Sequence, residues 1–214
     1  MAIIPSTAKV LNQYENVNTT YGGSKAMKAQ SKWYTMQDVE DTINANKPYK
    51  VFTALLTQSG GYDQTYINGG DLTIGVTYFI DDPAGGDWTN VGAPNNDTGT
   101  YFVATGTTPN AWDDGTLFYN TGTPVATVLE NTIGNVWFAY DEAGNYRANG
   151  DFPTNKTYVV LSNIGQVPSD NISITSNIIE NTVVLLTFSV NLDGTSSYSD
   201  DILLTTPIEI RVYN

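Results

Sequence analysis

The sequence predicts an all-β protein, with a β-sandwich or barrel-like body preceded by an extended N-terminal arm and one short helix. Three observations carry this. The 214 residues include 29 Thr, 22 Asn and 19 Gly; Thr suits pleated strands, whereas Asn and Gly suit turns. Short runs, several alternating with period two, follow one another from residue 49 onward. Clusters of Asp, Asn, Gly and Pro separate those runs at intervals that suit a sandwich or barrel. Only 14% of residues are charged against 40% hydrophobic, so the chain can bury a core beneath a neutral, polar surface.

Residues 1–32 are polar and aperiodic. Alone, such a segment cannot offset its ordering entropy, so it is either disordered or an extended arm lying on a partner. Residues 33–47 read as the short helix. Thr35 is placed as N-cap with Asp38 three residues on, close to a capping box. Met36, Val39 and Ile43 then form one narrow apolar stripe, and Pro48 prevents continuation. About three turns are too few for stability alone. The stripe must therefore pack on copies of itself, as in a short trimeric bundle, or on the chain's own body. Trp33 and Tyr34, just before it, read as a hydrophobic staple or as anchors buried in a partner.

The body spans 48–214. YKVFTALLT (49–57) is its first strand, and DLTIGVTYFI (71–80) puts Leu72, Ile74, Val76, Tyr78 and Ile80 on one face. TYFVATG, TLFYN, VATVLEN, NVWFAYD, KTYVVLSNI, NISITS, NTVVLLTFSVN and PIEIRVYN follow. NLDGTSSYSDD lies between the last two, which are therefore expected to pair as a hairpin.

The net charge of −13 is uneven. Residues 1–50 carry six basic and four acidic residues, whereas 51–214 carry three basic and eighteen acidic ones. A mildly basic arm and a strongly acidic body suggest two roles, and the acidic body argues against nucleic acid as a partner. The chain has no Cys and no His. Zinc, iron–sulfur and haem–His sites thus lose their usual ligands, and the common triads lose theirs. No secretory signal is seen in MAIIPSTAKV, and no run approaches the ~20 apolar residues of a membrane helix, so neither a membrane nor a cofactor is expected.

Two segments are similar to proteins of tailed bacteriophages, especially those infecting Bacteroidetes and marine bacteria. YKVFTALLTQSG (49–60), resumed by TPVATVLENTIGNVWFAYDEAGNY (123–146) and NKTYVVLSNI (155–164), resembles phage proteins in which TALLTQSG runs almost directly into PVATVLENT. The intervening GGDLTIGVTYFIDDPAGGDWTNVGAPNNDTGTYFVATGTTPNAWDDGTLFYN (69–120) resembles a small β module recurring in phage virion proteins, often worded GDDFTNVGA. The resemblance implies a β architecture with an inserted β module, here 61–121, and a virion location. It supplies no catalytic residues. The basic arm and short helix look like those of head-fibre or capsid-decorating proteins, which anchor an N-terminal segment and project a trimeric β body.

The resulting expectation is a non-enzymatic virion structural protein. It would be a homotrimeric head fibre or capsid-decorating protein, with capsid or other virion proteins as partners. Trp33, Tyr34, Met36, Val39 and Ile43 would make anchoring or oligomer contacts. The alternative is a tail-associated fibre or adhesin module binding host-surface glycans. Loop aromatics beside Asn and Asp are what sugar platforms need, which makes Trp88, Tyr101 and Trp112 candidate glycan contacts, though core filling would explain the same rings. Asp81, Asp82 and Asp87 crowd a Gly-rich loop and are weak Ca²⁺ candidates without EF-hand spacing, ordinary solvated turn aspartates being the other reading. A glycosidase needs two acids across a cleft, and no spacing among Glu130, Glu142, Glu180 and Glu209 selects a pair.

Overall fold

A computed structural model describes residues 9–10, 34–35, 47–161, 171–191 and 193–214. The chain divides into two units, Met1–Pro48 and Tyr49–Asn214. In the first, β1 (Lys9–Val10) pairs antiparallel with β2 (Tyr34–Thr35). This corrects the start of the predicted helix. Tyr34 and Thr35, both strand-favouring types, commit their backbone to an extended ladder, so the helix cannot include them; whether Thr35 caps a helix from residue 36 lies outside the described residues. Trp33, Met36, Val39 and Ile43 lie outside the described residues.

The second unit is built of antiparallel strands, as expected from the alternation. They are β3 (Tyr49–Thr57), β4 (Gln64–Ile67), β5 (Thr77–Asp82), β6 (Tyr101–Val103), β7 (Thr116–Asn120), β8 (Val125–Asn131), β9 (Trp137–Glu142), β10 (Asn145–Asn149), β11 (Thr157–Leu161), β12 (Asn171–Ile179), β13 (Thr182–Val190), β14 (Ser196–Tyr198) and β15 (Thr206–Tyr213). Three open sheets result among the described residues, with orders β11-β15-β3-β8, β12-β13-β10-β9 (with β14 beside β13) and β4-β7-β5-β6. None closes into a barrel.

The first two sheets form a sandwich. Phe52, Ala54 and Leu56 of β3 and Ile208 and Ile210 of β15 alternate inward from one sheet. Phe138, Tyr146, Ala148, Val183 and Leu185 alternate inward from the other, and all belong to one core. The third sheet has its own core of Leu72, Tyr78, Ile80, Trp88, Phe102 and Leu117. It leaves and rejoins the body at one place, because Thr57 at the end of β3 is paired with Val125 at the start of β8. Residues 58–124 are thus topologically an insertion between two neighbouring strands. Gly75 helps fasten it. Its N–H donates to the Ala104 carbonyl at 2.8 Å and its own carbonyl accepts from Ala126 N at 3.0 Å. At φ +87° a Cβ would stand 2.5 Å from the Ala126 oxygen, so only glycine fits.

Two sequence expectations are corrected. Residues 71–76 are not strand: Val76 N donates back to the Thr73 carbonyl around left-handed Gly75, and Ile74 turns outward, 57% exposed. The strand begins only at Thr77. Nor do the last two long strands form a hairpin. Instead β13 turns into antiparallel β14, with Asn191 N donating to the Thr195 carbonyl at 2.8 Å. The chain then crosses to the other sheet, where β15 lies between β11 and β3.

Candidate functional site

The inserted sheet sends alternate residues to opposite faces. Tyr78, Ile80, Phe102 and Leu117 face its core. Their neighbours Phe79, Tyr101 and Phe118, with Tyr66 of β4, face the other way. Register aligns them, because Tyr66 is opposite Phe118, Phe118 opposite Phe79, and Phe79 opposite Tyr101. One aromatic row therefore crosses all four strands, with ring centroids 5.4, 4.5 and 4.6 Å apart along it. Trp137 of β9 extends the row, lying on Tyr101 at 4.1 Å and 10°. Tyr66 is 57% exposed, and the other four rings are half-buried.

A polar row lies beside the aromatic one, formed by Gln64, Asn120 and Thr77. Thr77 Oγ1 accepts the Phe138 N–H at 3.2 Å, and Asn135 Nδ2 donates to the Tyr101 carbonyl at 2.8 Å. These bonds fix this face of the module against β9. Where the two diverge, a cleft of about 180 Å³ opens, with Phe79, Tyr101 and Phe118 on one side and Phe138 and Tyr140 on the other. Tyr62, 65% exposed, stands at the cleft with its centroid 6.4 Å from that of Tyr140. Every lining side chain is uncharged. Asn120 Oδ1 accepts from Gly122 N at 3.0 Å and Asp63 N at 3.3 Å, while its Nδ2 has no partner among the described residues. The Gln64 amide likewise has none there.

Behind Tyr140 lies a hydrogen-bonded clasp. Asp200 Oδ2 accepts from the Tyr140 hydroxyl at 2.8 Å, and Oδ1 accepts from Gly144 N at 2.9 Å. The Tyr146 hydroxyl lies 2.8 Å from both Asp200 Oδ1 and Gln58 Oε1, so its one proton is shared between two acceptors. Gln58 Oε1 also accepts from Asp201 N at 2.7 Å. The end of β3, the β9–β10 hairpin and the entry to β15 are thereby tied together. Burial first, and then the bond to Asp200, push Tyr140 up to about 12; the same causes raise Tyr146. Both phenols are held neutral.

Of the predicted glycan contacts, Tyr101 lines the cleft. Trp88 does not: it is fully buried, and its ring fills the space beside Gly86 and Gly115, where any Cβ would collide with it. A ring with no exposed face cannot stack on a ligand. Trp112 packs on the module core, edge-on to Trp88 at 5.9 Å, with Nε1 donating to the Gly70 carbonyl at 3.1 Å. Asp87 is occupied as a loop organiser. Oδ1 accepts from Thr89 N at 3.0 Å, Thr89 Oγ1 at 2.6 Å and Asn96 Nδ2 at 3.2 Å, and Oδ2 accepts from Asn110 Nδ2 at 2.9 Å. Those donors, the Thr89 hydroxyl foremost, hold its carboxyl well below the usual range. Asp81 and Asp82 are exposed, Asp82 accepting from Ala84 N at 3.1 Å, and no group of three or more acidic residues suited to a metal occurs among the described residues. Tyr62, Tyr66, Phe79 and Trp137 were missed by the sequence reading. The available signal was parity, since a core assignment for Tyr78 and Ile80 sends Phe79 to the opposite face.

No family model matches the chain, and no curated protein or solved structure gives a significant match.

Proposed function

We propose that the chain is a non-enzymatic structural protein of a tailed-phage particle, a homotrimeric head fibre or capsid-decorating protein attached through residues 1–32. The observation that carries this reading is the pairing of Thr57 with Val125. The phage-like segments 49–60 and 123–146, far apart in sequence, become adjacent strands of one body, and 61–121 becomes an insertion with its own core. That is the architecture the resemblance implies. Three-fold repetition would multiply weak contacts into stable attachment. Light scattering on the purified chain tests the trimer, and incorporation of a 1–32 deletion into particles tests the arm. A monomer, or normal incorporation of the deletion, would refute the corresponding part.

A second reading, an adhesin module for host-surface glycan, is favoured by the aromatic row and its polar neighbour at the cleft. The two readings are compatible, because a fibre can also hold sugars.

A further inference from the structure

We infer that the cleft between the Phe79–Phe118 pair and β9 is a binding site for an uncharged pyranose, with the remainder of an oligosaccharide lying along the Tyr66–Trp137 row. The inference rests on the adhesin reading and is independent of the particle assignment.

Four features of the cleft select this ligand class. Its apolar surface is mostly aromatic, supplied by Tyr62, Phe79, Tyr101, Phe118 and Tyr140, and a pyranose offers a matching face of C–H groups. Its polar groups are amides and hydroxyls with capacity to spare. Among the described residues Gln64 and Asn120 Nδ2 have no partner, and the Thr77 hydroxyl accepts from Phe138 N while its proton has none. A purely apolar ligand would cover these groups without pairing them, at a cost that sugar hydroxyls avoid. No cation among the described residues lines the cleft, and residues 51–214 hold eighteen acidic residues against three basic ones. An anionic sugar would meet repulsion and find no partner. Finally, about 180 Å³ is below the roughly 300 Å³ at which sites for drug-sized ligands begin, so one ring fits and not two. The row outside is longer. Four strands at about 4.8 Å spacing carry rings across about 14 Å, room for further sugar units on the exposed side.

Register makes this platform. Each ring is braced by its cross-strand neighbour, so the faces are set before a ligand arrives and little order is lost on binding. Tyr140 is braced from behind by its bond to Asp200.

The test is titration of the full chain with neutral hexose oligosaccharides and with uronate oligosaccharides of equal length, read by calorimetry and glycan array. Tyr62→Ala and Phe118→Ala are compared with Tyr198→Ala, an exposed aromatic on β14 outside the lining. Tyr62 is exposed enough that its loss leaves the fold intact, and melting curves check Phe118→Ala. Neutral oligosaccharides are expected to bind, about tenfold more weakly in the two cleft variants and unchanged in Tyr198→Ala. Unchanged affinity in the cleft variants would overturn the site while leaving the adhesin reading standing. Preference for uronates would overturn the uncharged class. No binding by any oligosaccharide would overturn the inference and the adhesin reading together, leaving the particle reading untouched. A drop in solution mass in the cleft variants, without sugar binding by the parent chain, would assign the row to contacts between copies instead.

Discussion

Replacing Tyr146 by Phe removes one oxygen from the centre of the clasp and leaves the ring in place. Tyr146 is fully buried on β10, and its hydroxyl is 2.8 Å from Gln58 Oε1 and from Asp200 Oδ1. Both acceptors keep another donor, Asp201 N for Gln58 and Gly144 N for Asp200. Nothing charged is stranded, so the loss is that of one hydrogen bond to a charged group. Such bonds contribute about 1.5–3 kcal/mol, and retained donors favour the lower half, about 2 kcal/mol. For a body of this size that corresponds to a fall of about 4–8 °C in Tm. Thermal unfolding of the parent chain, Tyr146→Phe, Tyr140→Phe and the double variant would measure it. Both phenols bond the same carboxylate, so their effects should be non-additive, with a coupling of at least ~0.5 kcal/mol. A Tm change below about 1 °C for Tyr146→Phe, or strict additivity, would refute the idea that Asp200 joins the two phenols in one clasp.

Other expectations concern the module, the hairpin and alkaline pH. Trp88→Ala should cost about 3–5 kcal/mol, because a fully buried indole leaves a cavity. Limited proteolysis should then cut within 61–121 first, since the body core is a separate cluster. Gly144→Ala should cost at least ~2 kcal/mol by chemical denaturation, because φ is +68° and a Cβ would stand 2.5 Å from both the Thr187 oxygen and the Ser199 nitrogen. Tyr140 is raised from an ordinary value near 10 to about 12. Its stabilising contribution is therefore whole below pH 10 and is lost as pH rises toward 12. Tm measured from pH 9 to 12 should fall across that window, and less steeply in Tyr140→Phe.

Local pattern alone located most strands of the body. YKVFTALLT, TLFYN and VATVLEN became β3, β7 and β8 with the bounds expected, because turn residues stop a strand where they occur. Parity failed where a backbone conformation overrode it. Gly75 at positive φ breaks the alternation of DLTIGVTYFI, and nothing in the spacing of Leu72, Ile74 and Val76 reveals a left-handed residue between them. The strands β4, β10 and β14 were not recognised, being short and polar: QTYI, NYRAN and SSY carry few apolar residues to mark them.

The candidate site was less legible, and for a different reason. The sequence by itself determined that aromatic residues recur along 62–140, that the chain lacks Cys and His, and that acidic residues dominate after residue 50. Which rings share a face with free space before it depends on the partner of each strand. Phe79 and Phe118 meet only because β5 pairs with β7, and Trp137 joins Tyr101 only because the module lies against β9. Trp88 and Phe79 are nine residues apart and both aromatic, yet one fills a core and the other faces a cleft. Side-chain parity is a property of neighbouring residues and can be read locally. Strand partnership is settled by the packing of distant segments, which no local pattern encodes, and so the row, the cleft and the Asp200 clasp came only from the tertiary structure.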